Sequence, residues 1–179
     1  MKIFLSGGCK NGKSFYAQRL AKTLAGQGPL YYVATMLPHD KEDDARIARH
    51  RAEREGWGFR TLEIGCDIAR VLRLSDVRGT FLLDSVTALL SNEMFPPGGD
   101  VREDACLAVE RGLSAFLDGV AHAVVVSDYI YSDAMRYDAL TERYRMGLAH
   151  LDRMLARRCD TVAEVQNGNI LLHKGEWPL

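Results

Sequence analysis

The segment from Gly7 to Ser14 constrains the fold more than any other feature of the sequence. It reads Gly-Gly-Cys-Lys-Asn-Gly-Lys-Ser and matches the pattern GxxxxGK[ST], whose glycines let backbone N–H groups converge on a phosphate. A short apolar run, Lys2–Ser6, precedes the segment, and a run of helix-forming residues, Lys13–Ala25, follows it. The pattern therefore predicts a phosphate-binding turn between a first strand and a first helix.

The side chains of this turn have predicted roles. Lys13 is expected to reach the terminal phosphates of a nucleotide, and the Ser14 hydroxyl is expected to bind Mg²⁺, while the helix dipole adds favourable potential. The alternative, a glycine-rich turn that binds nothing, is disfavoured because a strand precedes the turn and a helix follows it. The remaining predicted nucleotide contacts of the turn are Gly7, Gly8, Cys9, Lys10, Asn11 and Gly12.

A triphosphate site of this kind needs an acidic residue at the end of a neighbouring hydrophobic strand. Phe81-Leu82-Leu83-Asp84 supplies that arrangement, so Asp84 is the predicted metal-side carboxylate, acting directly or through water. The alternative is a helix N-cap before Val86, a role that either Asp84 or Ser85 could fill. The metal or nucleotide contact is favoured, since only that interpretation uses the hydrophobic strand.

Short apolar runs alternate with longer helical patterns, which is typical of an α/β fold with a mostly parallel sheet flanked by helices. Unbroken apolar triplets, such as the one at Val124–Val126, indicate strands that are covered on both faces. The predicted strands are Lys2–Ser6, Leu30–Ala34, Gly79–Leu83 and Ala121–Ser127. The predicted helices are Lys13–Ala25, Asp43–Glu55, Asp67–Leu74, Val86–Glu93, Glu103–Asp118 and Ala139–Arg158.

The C-terminal end predicts an antiparallel hairpin. Thr161–Val165 and Ile170–His173 flank Gln166-Asn167-Gly168-Asn169, and Asn-Gly favours a tight turn because both residues tolerate positive φ. The Pro- and Gly-rich segment Met94–Val101 is short enough to be a surface connection. We therefore expect residues 1–179 to form a single nucleotide-binding domain.

Composition narrows the function classes. The 179 residues carry a formal net charge of −1, which gives no general attraction to polyanions, so nucleic acid is not the expected partner. The four cysteines form no CxxC pair, so their spacing suggests neither a zinc site nor a disulfide framework. The N-terminal apolar run is too short for a signal peptide and no run reaches eighteen apolar residues, so we expect a cytoplasmic protein without membrane insertion.

A predicted helix over Asp43–Glu55 places Arg46, His50 and Arg54 on one face, because they are four residues apart. The flanking cations favour a neutral, nucleophilic imidazole at His50 and offer positive charge beside a phosphorus centre under attack. On composition alone, a solvated charged face is the more common explanation of such a pattern.

Several blocks in the first 95 residues resemble the bifunctional adenosylcobinamide kinase/adenosylcobinamide-phosphate guanylyltransferase family in order and spacing. The blocks are the Gly7–Ser14 turn, Tyr32-Val33-Ala34-Thr35, Ala45-Arg46-Ile47-x-x-His50, Phe59-Arg60-Thr61-Leu62-Glu63, Leu82-Leu83-Asp84-Ser85-Val86-Thr87 and Ser91-Asn92. The resemblance implies a RecA-like P-loop fold, a homo-oligomer that is often a trimer, and two steps of cobalamin biosynthesis. A corrinoid hydroxyl is phosphorylated, and the new phosphate then receives GMP from GTP.

The resemblance also implies roles for individual residues. His50 matches the histidine that carries the guanylyl group, and with Lys13 it is the predicted catalytic pair. ATP and GTP are the implied substrates, and Mg²⁺ is the implied cofactor. The implied nucleotide-binding positions outside the glycine turn are Ala34, Thr35, Met36, Arg51, Ala52, Glu53, Arg54, Glu63 and Asp84.

The second half of the chain departs from the family pattern. The family usually has Asn-Glu-Val-Gly where this chain has Ser127-Asp128-Tyr129-Ile130-Tyr131-Ser132-Asp133, and of a later Arg-Asp…Gly…Asn-Gln pattern only Arg145 remains. The other places of that pattern are taken by Met146, Ala149, Asp152 and Arg153. We expect Asp128–Asp133 to face the ligand, because loops at the carboxyl ends of parallel strands build such sites.

This departure leaves alternatives open. Tyr129, Tyr131 and Tyr137 suit core or subunit-interface positions as well as ligand stacking. The chain could be a P-loop kinase or nucleotidyltransferase for another small molecule, or a nucleotide-binding module without turnover.

Overall fold

The computed structural model describes residues 1–37, 52 and 54–179 of the chain. The strands are β1 (Lys2–Gly7), β2 (Leu30–Ala34), β3 (Arg60–Glu63), β4 (Thr80–Asp84), β5 (His122–Asp128), β6 (Thr161–Gln166) and β7 (Asn169–Lys174). The helices are α1 (Lys13–Ala25), α2 (Val71–Leu74), α3 (Val86–Met94), α4 (Ala105–Gly119) and α5 (Ala139–Arg158), with a 3₁₀ turn at Ile68–Arg70.

The strands form one seven-stranded sheet in the order β3-β2-β4-β5-β1-β6-β7. All neighbouring pairs are parallel except β6 and β7, which form an antiparallel hairpin. The carboxyl ends of β1, β2, β4 and β5 therefore lie at the same edge of the sheet, and the loops that follow them meet there.

Both faces of the sheet are covered, as the unbroken apolar triplets predict. On one face, Phe81, Leu83 and Val125 pack with residues of α3, α4 and α5. On the other face, Leu82 and Val124 pack against α1. The alternation of side chains along β4 and β5 thus supplies both core layers from the same two strands.

The predicted elements agree with the structure within about two residues where they can be compared. β2, α1 and α5 have the predicted bounds, and β1, β4 and β5 end one residue later than predicted. The helix predicted over Asp67–Leu74 is a 3₁₀ turn followed by the four residues of α2. The helix predicted over Asp43–Glu55 lies largely outside the described residues.

One strand was not predicted. Among the described strands, β3 pairs with β2 alone, at the edge of the sheet. Most of its side chains are exposed, so the four residues carry little of the apolar signal that marks a buried strand.

The predicted C-terminal hairpin is confirmed. Asn167 and Gly168 both have positive φ, 51° and 77°, as a two-residue hairpin turn requires. Within the part of the chain that the structure describes, no helix combines the length and the apolar character needed to span a bilayer.

We predict that Phe81→Ala lowers the free energy of unfolding by about 3–5 kcal/mol, because it empties a fully buried site. The Phe81 ring stacks on Tyr31 at a centroid distance of 4.8 Å and meets the edge of Phe116 at 5.8 Å. Urea unfolding measures the loss. Leu74→Ala is the control, since Leu74 is 54% exposed and its truncation should cost well under about 1 kcal/mol. Equal losses in the two variants would contradict this packing.

Candidate functional site

The glycine turn joins the carboxyl end of β1 to the amino end of α1. Gly7 is required by close approach, because a Cβ there would lie 2.4 Å from Asn11 Nδ2 and 2.5 Å from the carbonyl oxygen of Val165. Gly12 is the N-cap of α1 and has a φ of 92°, which favours glycine. The turn thus has the backbone geometry that its two outer glycines predict.

Both neighbouring strands hold the turn in place. Asn11 Nδ2 donates to the carbonyl oxygen of Val165 on β6. On the other side, the backbone N–H of Tyr129, just after β5, donates to the carbonyl oxygen of Gly7 at 3.3 Å. The loop is therefore fixed by contacts that are distant in sequence.

The Lys13 side chain is only 6% exposed and lies within the turn. Its ammonium donates to the Gly8 carbonyl oxygen at 2.5 Å, to Asp128 Oδ1 at 2.7 Å and to Asn11 Oδ1 at 3.4 Å. Asp128 ends β5 and lies opposite Gly7 in the β1–β5 register. The buried cation of the site is therefore paired with a carboxylate from the adjacent strand.

A second carboxylate, Asp84, approaches the turn from β4. Ser14 Oγ donates to Asp84 Oδ2 at 3.4 Å, and the Tyr32 hydroxyl donates to the same oxygen at 2.7 Å. The Arg54 guanidinium lies over the Tyr32 ring at 3.5 Å from its centroid, and Arg54 is only 7% exposed. Contacts thus run without interruption from Arg54 through Tyr32 and Asp84 to the first turn of α1.

Asp84 is not the N-cap of α3, because Ser85 takes that position. Ser85 Oγ accepts from the N–H of Ala88 at 3.3 Å and caps α3, which leaves the Asp84 carboxylate facing Ser14. Ser85 is joined to Asp84 by a cis peptide bond, and its N–H and carbonyl both hydrogen-bond Thr35 Oγ1, at 2.7 and 2.8 Å. Asn92 donates to the carbonyl of Thr35 at 2.7 Å, so α3 and the ends of β2 and β4 are connected.

Comparison with known families adds a decisive observation. A model of the family described as cobinamide kinase / cobinamide phosphate guanyltransferase matches residues 3–172 of the 179-residue chain. The chain belongs to this family. It is therefore placed among enzymes that transfer phosphorus-containing groups in cobalamin biosynthesis, and the resemblance seen in the sequence blocks is confirmed. No curated protein matches the chain.

One solved structure shares the fold of this family member at low sequence identity. A KaiC-like protein from Pyrococcus horikoshii OT3 superposes with a TM-score of 0.51 and 14% identity, covering 97% of this chain and 78% of that chain. The flagellar accessory protein FlaH from Methanocaldococcus jannaschii gives a TM-score of 0.46 and 14% identity, with coverages of 97% and 78%. The strand order and the likeness to the KaiC-like protein confirm the predicted α/β fold with a mostly parallel sheet flanked by helices.

In this cobinamide kinase/guanyltransferase family member, the predicted site residues fall into two groups along one edge of the sheet. The inner group, around the glycine turn, contains Lys13, Ser14 and Asp84. The outer group lies on β2, on β3 and in the segment between them. Its described members are Ala34, Thr35, Met36, Ala52, Arg54 and Glu63.

The outer group includes residues of different accessibility. Ala52 and Glu63 are exposed, and Ala34 and Met36 are half-buried. Thr35 is completely buried, and its hydroxyl is used by Ser85. A cavity of about 690 Å³ opens beside Ala52, Arg54, Glu55, Gly56, Gly58, Phe59 and Thr61. The remaining predicted residues, Arg46, His50, Arg51 and Glu53, lie outside the described part of the chain.

The structural roles of two site residues, Tyr32 and Asp128, were not predicted from the sequence. Tyr32 was used only as part of a family block, yet its hydroxyl holds Asp84. Asp128 was predicted only to face the ligand as part of Asp128–Asp133, and its pairing with Lys13 depends on the order of strands in the sheet. Neither contact has a signal in the linear sequence.

Arg145 organises the loop after β5. Its guanidinium donates to the carbonyl oxygens of Ile130 and Met135 at 3.2 and 3.3 Å, and it pairs with Asp133 at 2.8 Å. It also pairs with Glu142 at 2.7 Å and lies over the Tyr137 ring at 4.6 Å. The loop is thus wrapped around a buried side chain of α5.

The three tyrosines of this region have different environments. Tyr131 packs against the core, and its hydroxyl donates to Asp152 Oδ2 at 2.8 Å. The Tyr129 hydroxyl donates to Glu164 on β6 at 2.8 Å. Tyr137 is 43% exposed. The core interpretation therefore fits Tyr131, while the exposed Tyr137 ring packs against the Arg145 guanidinium.

Asp152 is a buried carboxylate behind the site. It is 4% exposed, and its Oδ1 has no hydrogen-bond partner in the described residues. The Ser127 side chain lies next to it, but the Ser127 oxygen also lacks a partner there. Burial raises the pKa of Asp152 from 3.8 to about 6, against the opposing effect of the Tyr131 hydrogen bond. Ionisation of Asp152 therefore destabilises the folded protein.

We predict that Asp152→Asn stabilises the protein at pH 8 by up to about 2–3 kcal/mol and changes stability little at pH 4. The folded state holds the Asp152 proton more tightly than the unfolded state, so the contribution of this group to stability is complete below about pH 4. It falls as the pH rises to about 6, and an amide removes that loss while still accepting from Tyr131.

Urea unfolding at several pH values measures this effect. Asp100→Asn, at an exposed loop position, removes the same formal charge and should leave both stability and its pH dependence within about 0.5 kcal/mol of the parent. Destabilisation of Asp152→Asn at pH 8 would show that the ionised carboxylate is needed in the fold.

Proposed function

We propose that this chain phosphorylates adenosylcobinamide and then transfers GMP from GTP to the resulting phosphate through a guanylyl-histidine at His50. The family supplies the reaction class. The observation that carries the nucleotide site is the buried Lys13 ammonium held inside the glycine turn, with the Ser14 hydroxyl and Asp84 beside it. These are the groups that phosphoryl transfer requires around a triphosphate.

The Ser14 and Asp84 side chains suit Mg²⁺. Both offer oxygen ligands, which this hard cation prefers, and the two oxygens are 3.4 Å apart, close enough to share one ion. When bound, the ion would neutralise phosphate charge. Lys13 would then contact the terminal phosphates, and the glycine turn would orient them by its backbone N–H groups.

The proposed transfer proceeds in two balanced displacements. An imidazole nitrogen of His50 attacks the α-phosphorus of GTP, a nitrogen–phosphorus bond forms, and pyrophosphate leaves as the bond to its bridging oxygen breaks. A phosphate oxygen of adenosylcobinamide phosphate then attacks the same phosphorus, and the nitrogen–phosphorus bond breaks. The products are the GDP derivative of the corrinoid and free imidazole.

The outer group of residues supports a place for this second step at the same sheet edge. Arg54 follows His50 by four residues in the sequence, and it contacts Tyr32, which holds Asp84 beside Ser14. Arg54 is therefore linked to Ser14 through Tyr32 and Asp84. We place the triphosphate of the nucleotide in the glycine turn and its nucleoside along the outer group.

We predict that incubation with α-³²P-GTP and Mg²⁺ leaves acid-labile GMP on the protein, and that His50→Ala abolishes the label. Lys13→Ala should slow labelling on the order of a hundredfold or more, because it removes a cation that balances developing negative charge. Filter binding after an acid or alkaline wash measures the label.

The matched control for the histidine is His150→Ala. His150 is half-buried on α5, where it contacts Glu110 at 3.0 Å, far along the chain from the outer group. This variant should label like the parent. Undiminished label in His50→Ala would assign the covalent step to another residue.

The corrinoid acceptor needs an apolar surface beside the phosphate site. The loop after β5 starts at Asp128 and exposes Ile130, Met135 and Tyr137 to 37%, 65% and 43%. A cavity of about 470 Å³ lies against the same loop. We propose that the macrocycle packs on this loop while its hydroxyl reaches towards the glycine turn.

We predict that Met135→Ser raises the KM for adenosylcobinamide several-fold and leaves the Kd for GTP and the urea midpoint unchanged. Removing an exposed apolar contact weakens the acceptor without touching the nucleotide. Leu74→Ser is the control, because Leu74 is comparably exposed but precedes β4 and so lies at the opposite edge of the sheet. An equal rise in KM for both variants would remove the acceptor from this loop.

A second candidate function keeps the chemistry and changes the acceptor. It is favoured by the loop after β5, which is built around Arg145 and does not follow the usual family pattern. Conversion of adenosylcobinamide to its GDP derivative at rates typical of enzymes would eliminate it.

A further inference from the structure

We propose that the Asp128 carboxylate competes with the nucleotide for Lys13, so that this residue sets the affinity of the site for phosphate. The inference rests on the proposed nucleotide function of the glycine turn. It assigns to Asp128 a role in controlling access to the ammonium, separate from the metal-side role of Asp84.

The hydrogen-bond donors of Lys13 are all in use in the folded protein. A lysine ammonium has three N–H donors, and three acceptors surround this one: the Gly8 carbonyl, Asp128 Oδ1 and Asn11 Oδ1. A phosphate oxygen that binds Lys13 must take over at least one of these donors. Asp128 is the charged acceptor of the three, so its exchange for phosphate replaces one anion by another.

Asp128 is fixed in this position by the sheet. Its N–H donates to Thr87 Oγ1 at 2.9 Å, and it lies opposite Gly7 in the register of β5 with β1. Its side chain is 25% exposed and that of Lys13 only 6%, so the pair is screened less than one on the protein surface. The carboxylate cannot leave the neighbourhood of the turn without a change in the end of β5.

A phosphate in the turn would therefore lie close to a like charge. Two anions that share one ammonium repel each other, and the repulsion is strong in a partly buried site. Neutralising position 128 while keeping its size should remove both the competition for the donor and the repulsion. Nucleotide binding should then become tighter even though an ion pair of the folded protein has been lost.

The test is the Kd of GTP for Asp128→Asn, measured by calorimetry in EDTA so that no divalent cation bridges the carboxylate and the phosphates. We expect binding about tenfold tighter than in the parent, as for loss of one charged competitor. An unchanged Kd would show that Asp128 does not compete. A higher Kd would show that it contacts the nucleotide favourably, and either result overturns the proposal.

Two controls separate competition from other effects. Asp100→Asn removes the same charge at an exposed loop position and should leave the Kd unchanged. In a Lys13→Ala background, Asp128→Asn should tighten binding much less than in the parent, because there is no ammonium to compete for. A full gain in that background would contradict the mechanism. If Asp128→Asn does not fold, Asp128→Ser permits the same comparison.

The outcome is independent of the corrinoid reaction. If the chain binds GTP and the variant binds it more tightly, the role of Asp128 stands even where adenosylcobinamide is not turned over. If turnover is normal and the variant shows no gain, the proposed function stands and the role of Asp128 falls.

Discussion

The position of β1 between β5 and β6 determines what surrounds the glycine turn. Parallel strands bring their carboxyl ends to one edge, so the residue after β5 and the end of β6 lie on either side of Gly7. Asn11 uses a carbonyl of β6, and the N–H of Tyr129 uses the carbonyl of Gly7. The same register brings Asp128 to Lys13. A strand order with β1 at an edge would lose one wall of the turn and with it either the anchor of Asn11 or the partner of the lysine.

The charged side chains around the turn lie at different depths in the protein. Lys13 is in contact with Asp128, Asp84 faces Ser14, and Asp152 is buried behind β5. Burial, together with repulsion from Asp128, raises the pKa of Asp152, so the Asp152 carboxyl resists ionisation. Asp84 and Asp128 lie closer to the glycine turn, where they contact Ser14 and Lys13. Under the proposed function, a triphosphate bound beside these acidic side chains would need both the lysine and a divalent cation to offset the negative charge.

An element is predicted correctly from the sequence where the pattern lies within the residues of that element. α1 and α5 have the predicted bounds because their apolar residues recur at helical spacing, and the Asn167–Gly168 turn follows from local backbone preference. Prediction from the sequence fails where a strand or a contact depends on residues that are distant in the chain. The edge strand β3 has mostly exposed side chains, so its four residues lack the apolar pattern by which a buried strand is recognised. The Lys13–Asp128 pair joins residues 115 positions apart, so it could be found only once the strand order was known.

The phosphate site and the loop after β5 are supported by different parts of the structure. Asp128 is held by the β5 register and by Thr87 on α3, whereas residues 130–137 are attached to Arg145 on α5. A substitution within residues 130–137 can therefore change the surface proposed to bind the acceptor without moving the lysine or its carboxylate partner. Of the residues after Ser127 that depart from the family pattern, Asp128 and Tyr129 contact the glycine turn, whereas Ile130 and Asp133 are held by Arg145. Under the proposed function, residues 130–137 would therefore change the surface for the second substrate while the contacts of Lys13 stay the same.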